Sequence, residues 1–323
     1  MIPYFDAHCD TIHRCAIRPS DTVGLADEIR AYFADVENLR QNRGHVDLTR
    51  GSQFGRYAQF FALYHDPDYA PVDGLWAQCL RMHDCFLREM EANTDLVRHC
   101  RSAEEVRAAA EDGKIAALLS VEGADLLDCD LSRIETVAAW GVRLFNPVWN
   151  HPNILSGTNC RDKERGLSEQ GREFIRGLEE NGIYADVSHI SDPGFWDLIH
   201  MSRRPVVASH SNSRAVCDHP RNLTDDMFKA IRDSGGVVGI NLYRNFVGKT
   251  GSMEELVAHV EHFLALDGEK TLCMGGDLDG CESLAGGMSG VQDVPRLYEA
   301  LCQRGYSDSL LEDIFWNNLM RLL

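Results

Sequence analysis

Ile115-Ala116-Ala117-Leu118-Leu119-Ser120-Val121-Glu122-Gly123 is an apolar run that stops abruptly at a carboxylate. A strand with one wet face alternates polar and apolar residues. This run does not, which is how a parallel strand covered on both faces reads. A glutamate directly after it would be costly to bury unpaired, so its position predicts a cation or hydrogen bonds at the strand's end.

Outward from that run the same pattern recurs. Short β-prone segments lie at 2–5, 57–63, 142–148, 183–187, 205–209, 236–242 and 271–275, making eight with the first. Helical periodicity fills the spaces between them. Residues 168–181 open on Ser168-Glu169-Gln170 and stop at Asn181-Gly182, a cap and a stop signal. Thr224-Asp225-Asp226 offers a capping hydroxyl followed by carboxylates that suit the positive end of a helix dipole. Residues 252–266 and 294–304 carry apolar residues at helical spacing, and 307–322 reads as a closing helix. Eight strands alternating with helices predict a (β/α)8 TIM barrel, with an open doubly wound sheet as the alternative. No repeat or linker divides the chain, so one domain over residues 1–323 is expected. Long loops at 19–56, 64–74 and 149–166 are placed to shape a barrel's active face.

The 323 residues suffice for such a barrel, and the net charge of −18 argues against nucleic-acid and membrane-surface partners. The eleven cysteines are odd in number, scattered, and form no CxxC pair. That usage fits reduced, packed thiols. The first six residues lack the basic and apolar regions of a signal peptide, and no run is long enough to cross a membrane. The expectation is a cytoplasmic protein.

Chemistry in a barrel sits at the C-terminal ends of the strands. The first strand runs into Asp6-Ala7-His8-Cys9-Asp10, where alternation puts His8 and Asp10 on one side and Cys9 on the other. The third ends at Glu122, the fifth at Asp186-Val187-Ser188-His189, the sixth at Ser209-His210, and the eighth at Gly275-Gly276-Asp277-Leu278-Asp279-Gly280. Any one histidine here reads most simply as a satisfied core residue, and any one aspartate as a helix cap. Together they offer three imidazoles (His8, His189, His210) and three carboxylates (Asp10, Glu122, Asp277) to one mouth. That set suits zinc or a similar divalent metal. A second His-x-Asp, His45-Val46-Asp47, has no strand before it and reads as structural.

His8-Cys9-Asp10, Val121-Glu122-Gly123, Val187-Ser188-His189, Ser209-His210-Ser211, Arg221-Asn222 and the Gly275–Gly280 segment, in this order, resemble the membrane dipeptidase family (peptidase family M19) of the amidohydrolase superfamily. The resemblance implies a barrel holding two Zn²⁺. His8, Asp10 and Glu122 would hold one, and Glu122, His189 and His210 the other, with Glu122 bridging. It also implies hydrolysis of a dipeptide, with Arg221 on the substrate's terminal carboxylate, as a guanidinium suits, and Tyr243 touching substrate. A homodimer would match the family. Members often carry a histidine after the fourth strand, where this chain reads Trp149-Asn150-His151. Either Trp149 and Asn150 reshape the pocket or His151 substitutes. Zinc lowers the pKa of bound water to about 7, and the resemblance gives Asp277 the proton transfer to the leaving amine. Two rival readings are another amidohydrolase reaction, on an N-acyl amino acid, lactone or cyclic amide, and a binding protein without catalysis.

Overall fold

The computed structural model describes residues 1–17 and 27–323, so the part of the 19–56 loop up to residue 26 lies outside the described residues. Nine strands form one parallel sheet: β1 (Pro3–Cys9), β2 (Arg56–Tyr64), β3 (Val97–His99), β4 (Ile115–Glu122), β5 (Val142–Asn146), β6 (Tyr184–Ala185), β7 (Val207–Ala208), β8 (Val237–Ile240) and β9 (Leu272–Met274). The order is β6-β5-β4-β2-β1-β9-β8-β7, and a bridge between Asp186 and Val207 joins the two ends. Eight strands thus close a (β/α)8 barrel, and the open-sheet alternative falls.

All eight expected strands are present. β3 was not expected: its three residues pair only with the first half of β4, at Ile115–Ala117, while β5 pairs with the second half. So short a strand leaves no periodicity to detect.

Burial of β4 is unbroken from Ile115 to Glu122. Its side chains divide by parity. Ala116 and Leu118 join a cluster with Phe5, Ala7, Ala58, Phe60, Leu144, Val207, Val237 and Cys273, closed by Trp316, Leu319 and Met320. Only the inside of a barrel brings one face of seven strands together. Ala117, Leu119 and Val121 pack outward against the helices. Glu122 shares the inward parity and so ends above the inner layer. On β1 a register irregularity between Asp6 and Cys9 resets the alternation. Ala7 keeps the inward parity of Phe5, and the reset lets the next residue, His8, reach the mouth as well.

Where β7, β8 and β9 meet, the barrel is too tight for side chains. A Cβ on Gly239 or Gly275 would fall 1.9 or 1.7 Å from the Ser209 carbonyl oxygen. These glycines let the backbones carrying His210 and Asp277 approach one another.

The expected caps form: Ser168 and Thr224 each accept a backbone N–H at the start of helices Glu169–Glu180 and Asp225–Asp233, and Ser252 adds a full capping box to the helix Met253–Leu264. The closing helix differs from expectation. It is broken into Asp308–Glu312, a π-helical turn Asp313–Asn317, and Asn318–Met320. The wider turn carries three consecutive buried bulky residues, Ile314, Phe315 and Trp316.

Candidate metal centre

Six predicted residues converge at the mouth. His8 Nε2 lies 3.5 Å from both Asp10 Oδ2 and Glu122 Oε2. Glu122 Oε1 lies 2.9 Å from His189 Nε2 and 3.5 Å from His210 Nε2. The two Nε2 atoms of His189 and His210 are 3.0 Å apart, and the ring centres of His8 and His210 lie 4.0 Å apart with the rings tilted by 30°. His8, Asp10 and Asp277 form a further close trio. All six are buried. Each Glu122 oxygen faces a different group: Oε2 meets His8, and Oε1 meets His189 and His210.

Burial opposes a proton on His8, yet Glu122 and Asp10 outweigh it and hold the His8 pKa well above its usual value. Burial pushes Glu122 up to about 7, with His8 opposing and Asp10 adding to the shift. Burial, reinforced by Arg221 and His8, holds His189 and His210 well below the usual range. They are neutral imidazoles with a lone pair to give.

Do these residues fit a divalent metal? Contacts of 3.5 Å are too long for useful hydrogen bonds, and neither ring nitrogen of His8 nor Asp10 Oδ1 has a hydrogen-bond partner. A buried polar atom in that state is rare and needs an explanation. Gly280 supplies another: a Cβ there would fall 2.2 Å from Asp10 Oδ2 and 2.3 Å from Asp277 Oδ1, so the chain leaves the space between these carboxylates clear. Neutral nitrogens and carboxylates converging on that space are zinc-type donors. The fit is good.

A cavity of about 460 Å³ opens over the centre, lined by Asp10, Tyr64, Glu122, Trp149, Asn150, Cys160, His189, His219, Arg221, Tyr243, Asn245, Phe246, Asp277, Gly280 and Glu282. That size suits a small ligand. A surface groove of about 480 Å³ beside Arg176 and Glu179 includes none of the converging residues.

Arg221 is buried, with Nη1 donating to the Ser188 carbonyl and Nη2 lying 3.1 Å from His189 Nε2. Tyr243 lines the cavity and its hydroxyl accepts from Asn245 at 2.6 Å. Trp149 forms a wall with Tyr64 at 4.9 Å between ring centres. Asn150 lines the cavity too, but its Oδ1 sits 3.0 Å from His189 Nδ1. His151 does not reach the lining. It stacks behind Trp149 and its Nε2 faces Asp66 and Asp68 at 3.5 and 3.4 Å.

Asp277 accepts from Asn241 Nδ2 at 3.0 Å and, like Asp279, has a left-handed backbone, with φ of 55° and 65°. Aspartate tolerates that conformation better than most residues. Asp279 stays off the cavity. It is fully buried and bonds Thr11 Oγ1, Arg14, and the backbone N–H groups of His45 and Val46. The His45-Val46-Asp47 segment is structural, as expected: Asp47 caps the helix Leu48–Gly51. Sequence reasoning passed over Tyr64, Cys160, His219, Asn245, Phe246 and Glu282. They lie in loops, at the end of β2 or, for Asn245 and Phe246, in the short helix Arg244–Val247.

A parallel barrel with imidazoles and carboxylates gathered at its C-terminal mouth defines the metal-dependent amidohydrolase type. Comparison with known proteins narrows this. The model of the membrane dipeptidase family (peptidase family M19) matches residues 1–323. The chain belongs to that family, and is a metal-dependent dipeptidase by that membership. An uncharacterised Klebsiella pneumoniae protein from the pqqA 5′ region is 34% identical over 266 residues, 78% of this chain and 96% of the relative. The dipeptidase tcpJ of Claviceps purpurea is 29% identical over 91% of this chain and 73% of its own. Among solved structures, a Rhodobacter sphaeroides metallopeptidase liganded with a phosphinate mimic of L-Ala-D-Ala superposes with a TM-score of 0.84, at 28% identity, over 99% of this chain and 98% of that one. Among the described residues, no helix is long and apolar enough to cross a membrane.

Proposed function

We propose that residues 1–323 act as one domain, a cytoplasmic two-zinc dipeptidase that accepts dipeptides with a C-terminal D-residue. The observation that carries this reading is Glu122. Its two oxygens face two separate groups of donors, His8 with Asp10 and His189 with His210. That is the arrangement a carboxylate shared by two cations needs. The Rhodobacter sphaeroides relative and its L-Ala-D-Ala mimic support the D-residue.

When bound, the metal pair supplies Lewis acidity and a water of lowered pKa. The chain's own groups do the rest. Arg221 presents its guanidinium beside His189, where it can pair with the substrate's terminal carboxylate. Asp277, oriented by Asn241, accepts the proton released on attack at the carbonyl and returns it to the leaving amine. Tyr64 and Trp149 wall one side against water, and Tyr243 lies where substrate side chains pass. Trp149 offers one N–H donor in place of the family's common histidine.

The deciding assay is a panel of dipeptides with L- and D-residues at the C-terminus, set against N-acyl amino acids, lactones and cyclic amides, using zinc-replete protein. Dipeptide turnover with a free-carboxylate requirement is the expected result. Turnover confined to the other substrates overturns the reading.

A further inference from the structure

Behind His210 runs a chain of hydroxyls that no role described so far uses. His210 Nδ1 lies 2.7 Å from Ser209 Oγ, which lies 3.3 Å from Ser188 Oγ, which donates at 2.8 Å to Asp186 Oδ1. All four residues are buried.

Counting protons gives this chain a direction. A hydroxyl has one proton to donate and can accept others. Asp186 Oδ1 already accepts two backbone N–H groups and takes the Ser188 proton as well. Ser188 Oγ then acts only as acceptor, taking the His210 backbone N–H at 3.1 Å. The Ser209 proton can therefore point to Ser188, leaving Ser209 Oγ to accept from His210 Nδ1–H. With the proton on Nδ1, Nε2 keeps its lone pair, and Nε2 is the atom facing Glu122 and His189. The opposite order, Ser209 donating to Nδ1, would leave two hydroxyl oxygens facing each other at 3.3 Å with no proton between them, and would put a proton on Nε2, facing His189 Nε2 at 3.0 Å and Glu122 Oε1 at 3.5 Å.

We infer that Asp186 is a positioning residue acting through Ser188 and Ser209. It favours the His210 tautomer whose Nε2 can bind a metal over the one in which Nε2 gives a proton to Glu122 or His189. Asp186 is itself held in place by the backbone N–H groups of Ser188 and Ser209, both at 3.0 Å to the same oxygen. It joins the β6 and β7 ends while it orients the proton. Partners of this kind typically change metal affinity by roughly 10–100-fold.

The inference rests on the reading of His210 as a metal ligand, so the test separates the two. In metal-free protein labelled with ¹⁵N-histidine, the His210 ring shifts report which nitrogen carries the proton. Wild type should show Nδ1–H, and Ser209→Ala should show a mixture or a shift to Nε2–H. Zinc alone, titrated against a chromophoric chelator, should bind Ser209→Ala roughly 10–100-fold more weakly, with Ser209→Thr restoring most of the affinity. Ser188→Ala, which cuts the chain one link further back, should give a smaller loss of the same kind. An unchanged His210 tautomer in Ser209→Ala and Ser188→Ala overturns the relay. A tautomer that changes as stated in a wild-type protein unable to bind zinc would leave the relay standing and remove the metal reading.

Discussion

Two buried aspartates, Asp6 in the middle of β1 and Asp186 just after β6, do the same backbone work and then diverge. Asp6 accepts the N–H groups of His8 and Gly276, tying the β1 end to the β9 end. Asp186 accepts those of Ser188 and Ser209 and ties β6 to β7. The capacity left on Asp6 goes to the Tyr4 hydroxyl, below the site. On Asp186 it goes to Ser188 and on toward His210. The two halves of the centre differ accordingly. His189 and His210 have their outer nitrogens engaged by Asn150 and Ser209, whereas His8 has neither nitrogen hydrogen-bonded. One half is wired before a cation arrives. The other has donors and charge but no outer support.

The comparison can be attacked in order of expected effect. Asp277→Asn should lower kcat by roughly 10²–10⁴-fold while both halves keep their metal, measured by steady-state kinetics with elemental analysis. Near-normal turnover with metal bound would remove its proton-transfer role. Arg221→Ala loses a charge-assisted contact of about 1.5–3 kcal/mol, so KM for dipeptides should rise roughly 10- to 150-fold with kcat less affected. An unchanged KM would free Arg221 from the substrate. Stepwise chelation should strip the His8–Asp10 half first, its affinity roughly 10–100-fold below that of the supported half. His8→Ala should then retain about one metal equivalent. Simultaneous loss of both metals in wild type would show the two halves to be equivalent.

The smallest effect is the pH dependence. Glu122 sits near pH 7 and His8 is held above its usual value, so both carry protons that a metal must displace. Raised pKa values mean that the protonated, metal-free form gains as pH falls. Zinc affinity of the metal-free protein should therefore drop on acidification through about pH 7 and recover above it. Calorimetry in buffers of different ionisation enthalpy counts the protons released; zinc uptake that releases none would contradict these shifts.

Much of this was legible along the chain. The unbroken apolar run 115–121 predicted a doubly covered parallel strand, and seven similar segments predicted the barrel, because burial on both faces leaves a local signature. Caps at Ser168 and Thr224 were readable for the same reason: an N-cap acts within three residues. His8, Asp10, Glu122, His189, His210 and Asp277 were legible as strand-end residues, since a barrel fixes which end is reactive. His151 shows where such reading stops. A two-residue offset from Trp149 decides between the cavity and the Asp66–Asp68 side, and only the path of the loop sets it.

By itself, then, the sequence determined the barrel, the strand ends and the kind of donor at each, because strand periodicity and side-chain chemistry are properties of neighbouring residues. Which partner each donor meets was decided only in three dimensions. The division of Glu122 between two groups, the buried hub at Asp279 and the hydroxyl chain from Asp186 to His210 all join residues from different strands or loops. Their geometry depends on barrel closure and on glycines that admit close backbone approach, and no local pattern encodes such distances.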